Sequence, residues 1–233
     1  MGSSIPASCM PGSLLTYIRE HRDLLAYVSL AELSLIVMSL VVLTAHPTYP
    51  AMTFIMRAGF ALICALGIIA GLFPAVLSFS KAERRDGEGV SGHHPDCGRF
   101  NGHTVSLLGQ RRCAGCTGLV IGAVASLIGL WLGPLGLSVE AAFWGGVILV
   151  GLGLVQHFID LGNEWVHLSL NTLFVVGAWL MFESIQALGL GVQVQVYFLS
   201  MTVFWIWARI RASQWTHVGV CSRCDQACVH IFE

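Results

Sequence analysis

Long apolar runs alternate with short polar breaks along this chain, and their lengths set the first expectation. Residues 24–45, 51–80, 117–137, 141–161, 165–190 and 193–210 are each of a length that crosses a hydrocarbon core as a helix, about 17–25 residues or more. Most of the breaks are short. Residues 46–50 hold two prolines and the interfacial Tyr49, residues 138–140 form a minimal turn, and Gly162 with Asn163 makes another tight connection. Residues 81–116 differ, because a charged, glycine-rich segment leads there into a polar stretch rich in cysteine and histidine. The pattern predicts an all-α fold: one polytopic membrane helix bundle of about six transmembrane helices over residues 1–233, with a loop at 81–116 and a tail at 211–233.

The side-chain detail inside the runs fits helices packed in lipid. Gly118 with Gly122, and Gly129 with Gly133, have the small-xxx-small spacing that lets backbones approach closely. Residues 1–13 lack a basic head and a small-residue cleavage site, so they read as a tail and not as a cleaved signal. Six spans put both termini, the 81–116 loop and the Gly162 turn on one side. That side receives eleven of the twelve Lys and Arg residues, all but Arg57. Basic residues accumulate on the cytoplasmic side, so the expected setting is the cytoplasmic membrane with both termini cytosolic.

Composition strengthens the membrane reading. Hydrophobic residues make up 55% of the chain, charged residues 11%, and the mean hydropathy is +0.75. A soluble domain carries about a quarter charged residues. Membrane lipids are the expected partners, and the net charge of -1 with no basic block excludes nucleic acid.

The candidate chemistry gathers in two polar segments. Leaving aside Cys9 in the N-terminal tail, six of the eight cysteines, Cys97, Cys113, Cys116, Cys221, Cys224 and Cys228, fall in the two polar segments of the predicted cytosolic side, where disulfides do not persist. Cys113-x2-Cys116 and Cys221-x2-Cys224 have zinc-knuckle spacing, and thiolates with imidazoles suit zinc. Two arrangements are open: one shared site built from both pairs, or separate sites. In the second, His94, Cys97, Cys113 and Cys116 form one set, and Cys221, Cys224 and Cys228 with His217 or His230 form another. An iron-sulfur cluster is the alternative cofactor, although the full ferredoxin run has one more cysteine than the tail supplies. Because Cys116 opens a span, a redox dithiol is a further option, since a helix N-terminus favours an anion. Cys64, inside the second run, reads as core.

A second polar cluster surrounds the Gly162 turn: Gln156, His157, Asp160, Asn163, Glu164, His167 and Asn171. A hairpin there brings His157 and Asp160 near Glu164 and His167, the four residues expected to form a reactive pocket as proton relay, general base or carboxylate-histidine metal site. The competing reading is that these residues cap two helix ends at the membrane edge. Glu32 and Glu183 are separate acids inside apolar runs.

Cys113-Ala-Gly-Cys-Thr-Gly118, followed directly by a glycine-rich span, resembles a prokaryotic family of small polytopic membrane proteins of unknown function with a Cys-Ala-x-Cys-Thr-Gly motif. Cys97, Arg99 and Phe100 are similar to that family's upstream element, and Asp160 to its aspartate. His93 to Asp96 replace the family's usual Cys-His-Gln start, and residues 163–171 replace a more basic segment. The resemblance implies a multi-pass membrane fold and no particular activity. Taken together, the expected function is a membrane protein with a zinc site joining the 93–116 loop to the C-terminal tail. A membrane enzyme with metal or thiol redox chemistry and a small-solute or ion transporter are the alternatives.

Overall fold

A computed structural model describes residues 22–47, 53–73, 102–107, 109–133, 136–156 and 163–221, with side chains through residue 213. Among these residues the elements in chain order are α1 (Arg22–Thr44), α2 (Thr53–Leu72), β1 (Thr104–Leu107), β2 (Gln110–Cys113), α3 (Ala114–Leu132), α4 (Val139–Val155), α5 (Glu164–Ala187) and α6 (Val192–Cys221). Four helices, α1, α2, α3 and α5, are long and apolar enough to cross a membrane. The other two fall short in different ways. α4 has 17 residues, whereas Gln193, Gln195 and Arg209 dilute the apolar character of α6.

Each outer helix buries one stripe and gives the rest to lipid. α1 buries Leu24, Val28, Ala31, Leu35, Met38 and Val42, spaced three or four residues apart as one helix face requires. Its Leu30, Leu33, Leu40 and Leu43 stay more than half exposed, which suits a hydrocarbon surround. α5 is the central helix: residues 177–185 are buried without interruption. An aromatic series crosses the core from α2 through α5 to α6, with Phe60 stacked on Phe182 at 4.8 Å, Phe182 at 6.1 Å from Phe198, and Phe198 at 6.0 Å from Trp205.

Glycines set the helix directions by allowing close approach. A Cβ on Gly118 would strike the Leu168 carbonyl, one on Gly122 would stand 2.6 Å from the Thr172 carbonyl, and one on Gly129 would enter the Trp179 ring. These contacts advance together, so α3 and α5 run parallel. α4 opposes α5, because Gly146 faces Gly177 while the later Gly153 faces the earlier Phe174. α2 opposes α3, with Gly71 against the Cys116 carbonyl and Arg57 bonded to the Leu130 carbonyl. α1 opposes α6: Leu24 and Val28 pack on Ala212, and Ser34 accepts from Trp205 Nε1 at 2.7 Å. The bundle therefore has two distinct ends. One carries the hairpin, the starts of α1, α3 and α5, and the ends of α2, α4 and α6.

Several boundaries differ from expectation. The loop's last residues form an antiparallel hairpin in the register Thr104↔Cys113 and Leu107↔Gln110, a small addition to a mostly helical chain. Gly109 takes φ +76 in its turn, a left-handed conformation that glycine reaches without strain. Two four-residue strands leave too short an alternation to stand out beside the cysteine motif. α3 starts at Ala114 and not at 117, since Cys113 itself caps it. The α3 to α4 turn uses Gly133 and Gly136, both at positive φ, and Ser138 caps α4 by accepting from the Ala141 amide.

Candidate functional site at the hairpin end

The hairpin delivers Cys113 to the point where strand becomes helix. Its backbone is extended, at φ -62 and ψ 120, and its Sγ accepts from the Cys116 amide at 3.5 Å. The sulfur thereby takes the capping role usually given to Ser, Thr, Asp or Asn. Cys116, three residues on, lies in the first turn with its thiol hydrogen-bonded to Cys113. Both sulfurs are thiols; Cys113 is only 3% exposed and Cys116 is half-buried. Thr117 Oγ1 donates back to the Cys113 carbonyl at 2.9 Å, which tightens the same turn.

α5 supplies the facing wall. A Cβ on Gly115 would lie 3.8 Å from both Cys113 Sγ and Asn171 Nδ2, so the Asn171 amide stands beside the cysteine turn. Asn171 Nδ2 donates to the His167 carbonyl and, at 3.4 Å, to Gln156 Oε1 of the α4 end. Gln156 Nε2 in turn donates to the Gly153 carbonyl at 2.8 Å. Thr172 Oγ1 donates to the Gly118 carbonyl at 3.1 Å, which fixes the height of α5 against α3. One turn before Asn171, the buried His167 ring lies 4.6 Å from that of His103, the residue that leads into β1. The hairpin and α5 are thus joined by an imidazole pair.

α6 adds a cation. Arg209 is 6% exposed, its guanidinium lies 5.6 Å from the Phe174 ring centroid, and its charge is within Coulombic reach of Cys116 and Cys113. Phe174 sits three residues beyond Asn171 on α5, so Arg209 stands on the same side of the bundle as the thiols. Among the described residues no carboxylate forms an ion pair with Arg209, and its Nε has no hydrogen-bond acceptor.

Of the residues expected to act, Cys113, Cys116 and His167 come into one neighbourhood. Glu164 is half-buried in the first turn of α5, capped by Asn163 through bonds to the Trp165 and Val166 amides. His157 and Asp160, and the ligand candidates His94, Cys97, Cys224 and Cys228, lie outside the described residues. Cys221 ends α6, twelve residues past Arg209, or about 18 Å along the axis at the rise of an α-helix. Among the described residues no three His, Cys, Asp or Glu side chains converge as a metal set. His103 is one of the three histidines of the polar 93–118 stretch that sequence marks as candidate ligands, whereas Arg209 is not singled out from sequence as a site residue. An arginine inside the last apolar run was the one available signal for the second.

Geometry and composition together define a helical membrane-embedded protein with a buried thiol pair at one end of its bundle. No protein-family model, curated protein or solved structure matches the chain.

Proposed function

We propose that this is a six-span protein of the cytoplasmic membrane that holds zinc at its cytosolic face, with Cys113 and Cys116 as two thiolate ligands and His94 and Cys97 as the other two. One observation carries the reading: the buried Cys113 and the half-buried Cys116 meet at a strand-to-helix junction, bonded to one another, beside a buried arginine. Two ligands held three residues apart by a capped helix turn form half of a tetrahedral site, and His94-x2-Cys97 offers the same spacing for the other half. The length of α6 favours this local set over one shared with the tail, because Cys221 is carried away from the pair. Cys221, Cys224 and Cys228 then serve a separate centre. α4 and α6 count as spans because both pack lengthwise within the bundle, and the arginines of the hairpin end favour the cytosolic side.

Metal analysis of anaerobically purified protein tests the proposal. The expected content is zinc that falls in Cys113→Ser and in Cys116→Ser by the share bound at that centre, while Cys221→Ser leaves the Cys113 centre loaded. Protein without bound metal overturns it.

The partial exposure of Cys116 at a helix N-terminus favours a second reading, a thiol redox enzyme with His167 in the same neighbourhood. Alkylation without chelator separates the two. Thiols that react at once support the redox enzyme, and thiols that react only after chelation support the metal site.

A further inference from the structure

Two buried side chains at the hairpin end each keep one polar atom unmatched, and the two atoms are of opposite kind. Arg209 is 6% exposed, lies over Phe174 and is unpaired with any acid among the described residues; its Nε has no acceptor. Asn171 is 1% exposed, and its Oδ1 has no donor. Turning the amide over does not cure this. Gln156 Nε2 is committed to the Gly153 carbonyl, so Gln156 presents Oε1 to Asn171, and the His167 carbonyl is a second acceptor. Asn171 must aim Nδ2 at these two oxygens, which leaves its own oxygen over.

Both atoms border the first turn of α3. A Cβ on Gly115 would lie 3.9 Å from Asn171 Oδ1 and 3.8 Å from Cys113 Sγ, and Arg209 is within Coulombic reach of Cys113 and Cys116. The same turn is the positive end of a 19-residue helix, whose first amides find no acceptor within the helix; that of Cys116 is taken by Cys113 Sγ. A buried guanidinium recovers its desolvation through a nearby anion, and a helix N-terminus favours the same partner. Gly115 and Cys116 are half-buried, so the turn is reached from the bundle end.

We infer that this turn binds a small oxyanion that retains a hydroxyl, the chemistry of hydrogen phosphate and of a protonated phosphate monoester. The anionic oxygens accept from Arg209 and the α3 amides, and the hydroxyl donates to Asn171 Oδ1. That hydroxyl sets phosphate apart from sulfate. Sulfate has the same shape but is fully deprotonated at neutral pH, so it leaves Asn171 Oδ1 unmatched in a buried setting. The inference goes beyond the zinc reading and does not depend on it, since every group it uses belongs to Arg209, Asn171 or the α3 backbone.

Titration calorimetry of the full chain in detergent tests it, with inorganic phosphate and then with sulfate at a pH where both are dianions. The parent should bind phosphate at least about fivefold more tightly than sulfate, the smallest penalty for a buried acceptor left unmade. Arg209→Met should weaken phosphate binding by about 10–100-fold, the share of a hydrogen bond to a charged group. Asn171→Leu should bring the two anions level, a change of selectivity that a purely structural role would not produce. Cys113→Ser keeps a capping oxygen and should retain phosphate binding. Phosphatidic acid in mixed micelles separates the sources: it displaces phosphate if the turn takes a lipid headgroup and does not if it takes the free ion, and either result upholds the site. A parent chain that binds no phosphate, or binds sulfate as tightly, overturns the inference without any variant having to fold. Arg209→Met binding phosphate like the parent also overturns it. So does a loss in Cys113→Ser as large as that in Arg209→Met, which would place the anion on a metal held by the thiols.

Discussion

Arg57 on α2 and Glu183 on α5 meet inside the bundle, Nη2 to Oε2 at 2.7 Å, and Arg57 Nη1 donates to the Leu130 carbonyl of α3 at 2.6 Å. One arginine thus ties three helices together at the end opposite the hairpin. The Glu183 side chain is 5% exposed and that of Arg57 37%, so the carboxylate is the more dependent partner. Replacing Arg57 by Met leaves that carboxylate buried beside an apolar chain. The expected loss is roughly 2–4 kcal/mol, below the full cost of breaking a wholly buried pair because Arg57 is partly exposed. Thermal unfolding in detergent should show a lower midpoint for Arg57→Met and recovery of most of it in Arg57→Met with Glu183→Leu. A double variant no better than the single one would show that the pair does not carry the effect.

The contact between α3 and α5 predicts a sharp difference between two glycines. A Cβ at Gly118 meets backbone at the Leu168 carbonyl and the Asn171 Cβ at 2.7 Å, groups that cannot step aside without moving α5. A Cβ at Gly67, in α2, has nothing within 4 Å. Gly118→Ala is therefore expected to destabilise by about 1–3 kcal/mol through overpacking. Gly67→Ala should be neutral or stabilise by up to about 1 kcal/mol, the helix-propensity gain. The same melting experiment separates them, and equal midpoints would contradict the parallel contact of α3 with α5.

Helix positions were legible because a long apolar run favours a helix, and each of the six runs holds one among the described residues, four of them long and apolar enough to cross a membrane. Polar relationships were less so. Glu183 and Arg57 read as isolated charges, since a pairing across 126 positions leaves no local pattern. The Cys113 and Cys116 spacing was visible, and so was its position at a helix start. The hairpin that presents it was not, because Val105 and Leu107 give only two apolar positions in alternation. Arg209 was counted as one more charge of the basic face. Its burial depends on where Phe174 and the cysteine turn come to rest, which one-dimensional spacing does not encode.

Metal removal should act on some thiols and not others. Cys113 and Cys116 lie at the bundle end, whereas Cys64 is 3% exposed in the core beside residues such as Phe60. Chelation followed by a small alkylating reagent should modify Cys113 and Cys116 in folded protein and spare Cys64 until unfolding. Peptide mass mapping reads the sites. Cys64→Ala should leave metal content unchanged, while Cys64→Ser should cost about 1–3 kcal/mol by burying a hydroxyl without an assured partner. Alkylation of Cys64 in the folded protein would show the core to be open.

The distribution of charge over the two ends predicts orientation. Arg22, Arg111, Arg112, Arg209 and Arg211 all stand at the hairpin end, and Arg57 at the other end is held by Glu183. A translocated end keeps few unpaired basic residues, so the hairpin end should face the cytosol. Gln110 beside the hairpin turn and Leu137 in the α3 to α4 turn are both exposed, and each accepts a reporter thiol without crossing the core. In intact cells a membrane-impermeant maleimide should label Leu137→Cys above the parent background and leave Gln110→Cys unlabelled until the membrane is permeabilised. The reverse pattern would turn the bundle over and place the cysteine centre in the compartment where disulfides form. The thiol pair would then become a redox dithiol in preference to a zinc ligand, so the labelling bears on the chemistry as well as on the topology.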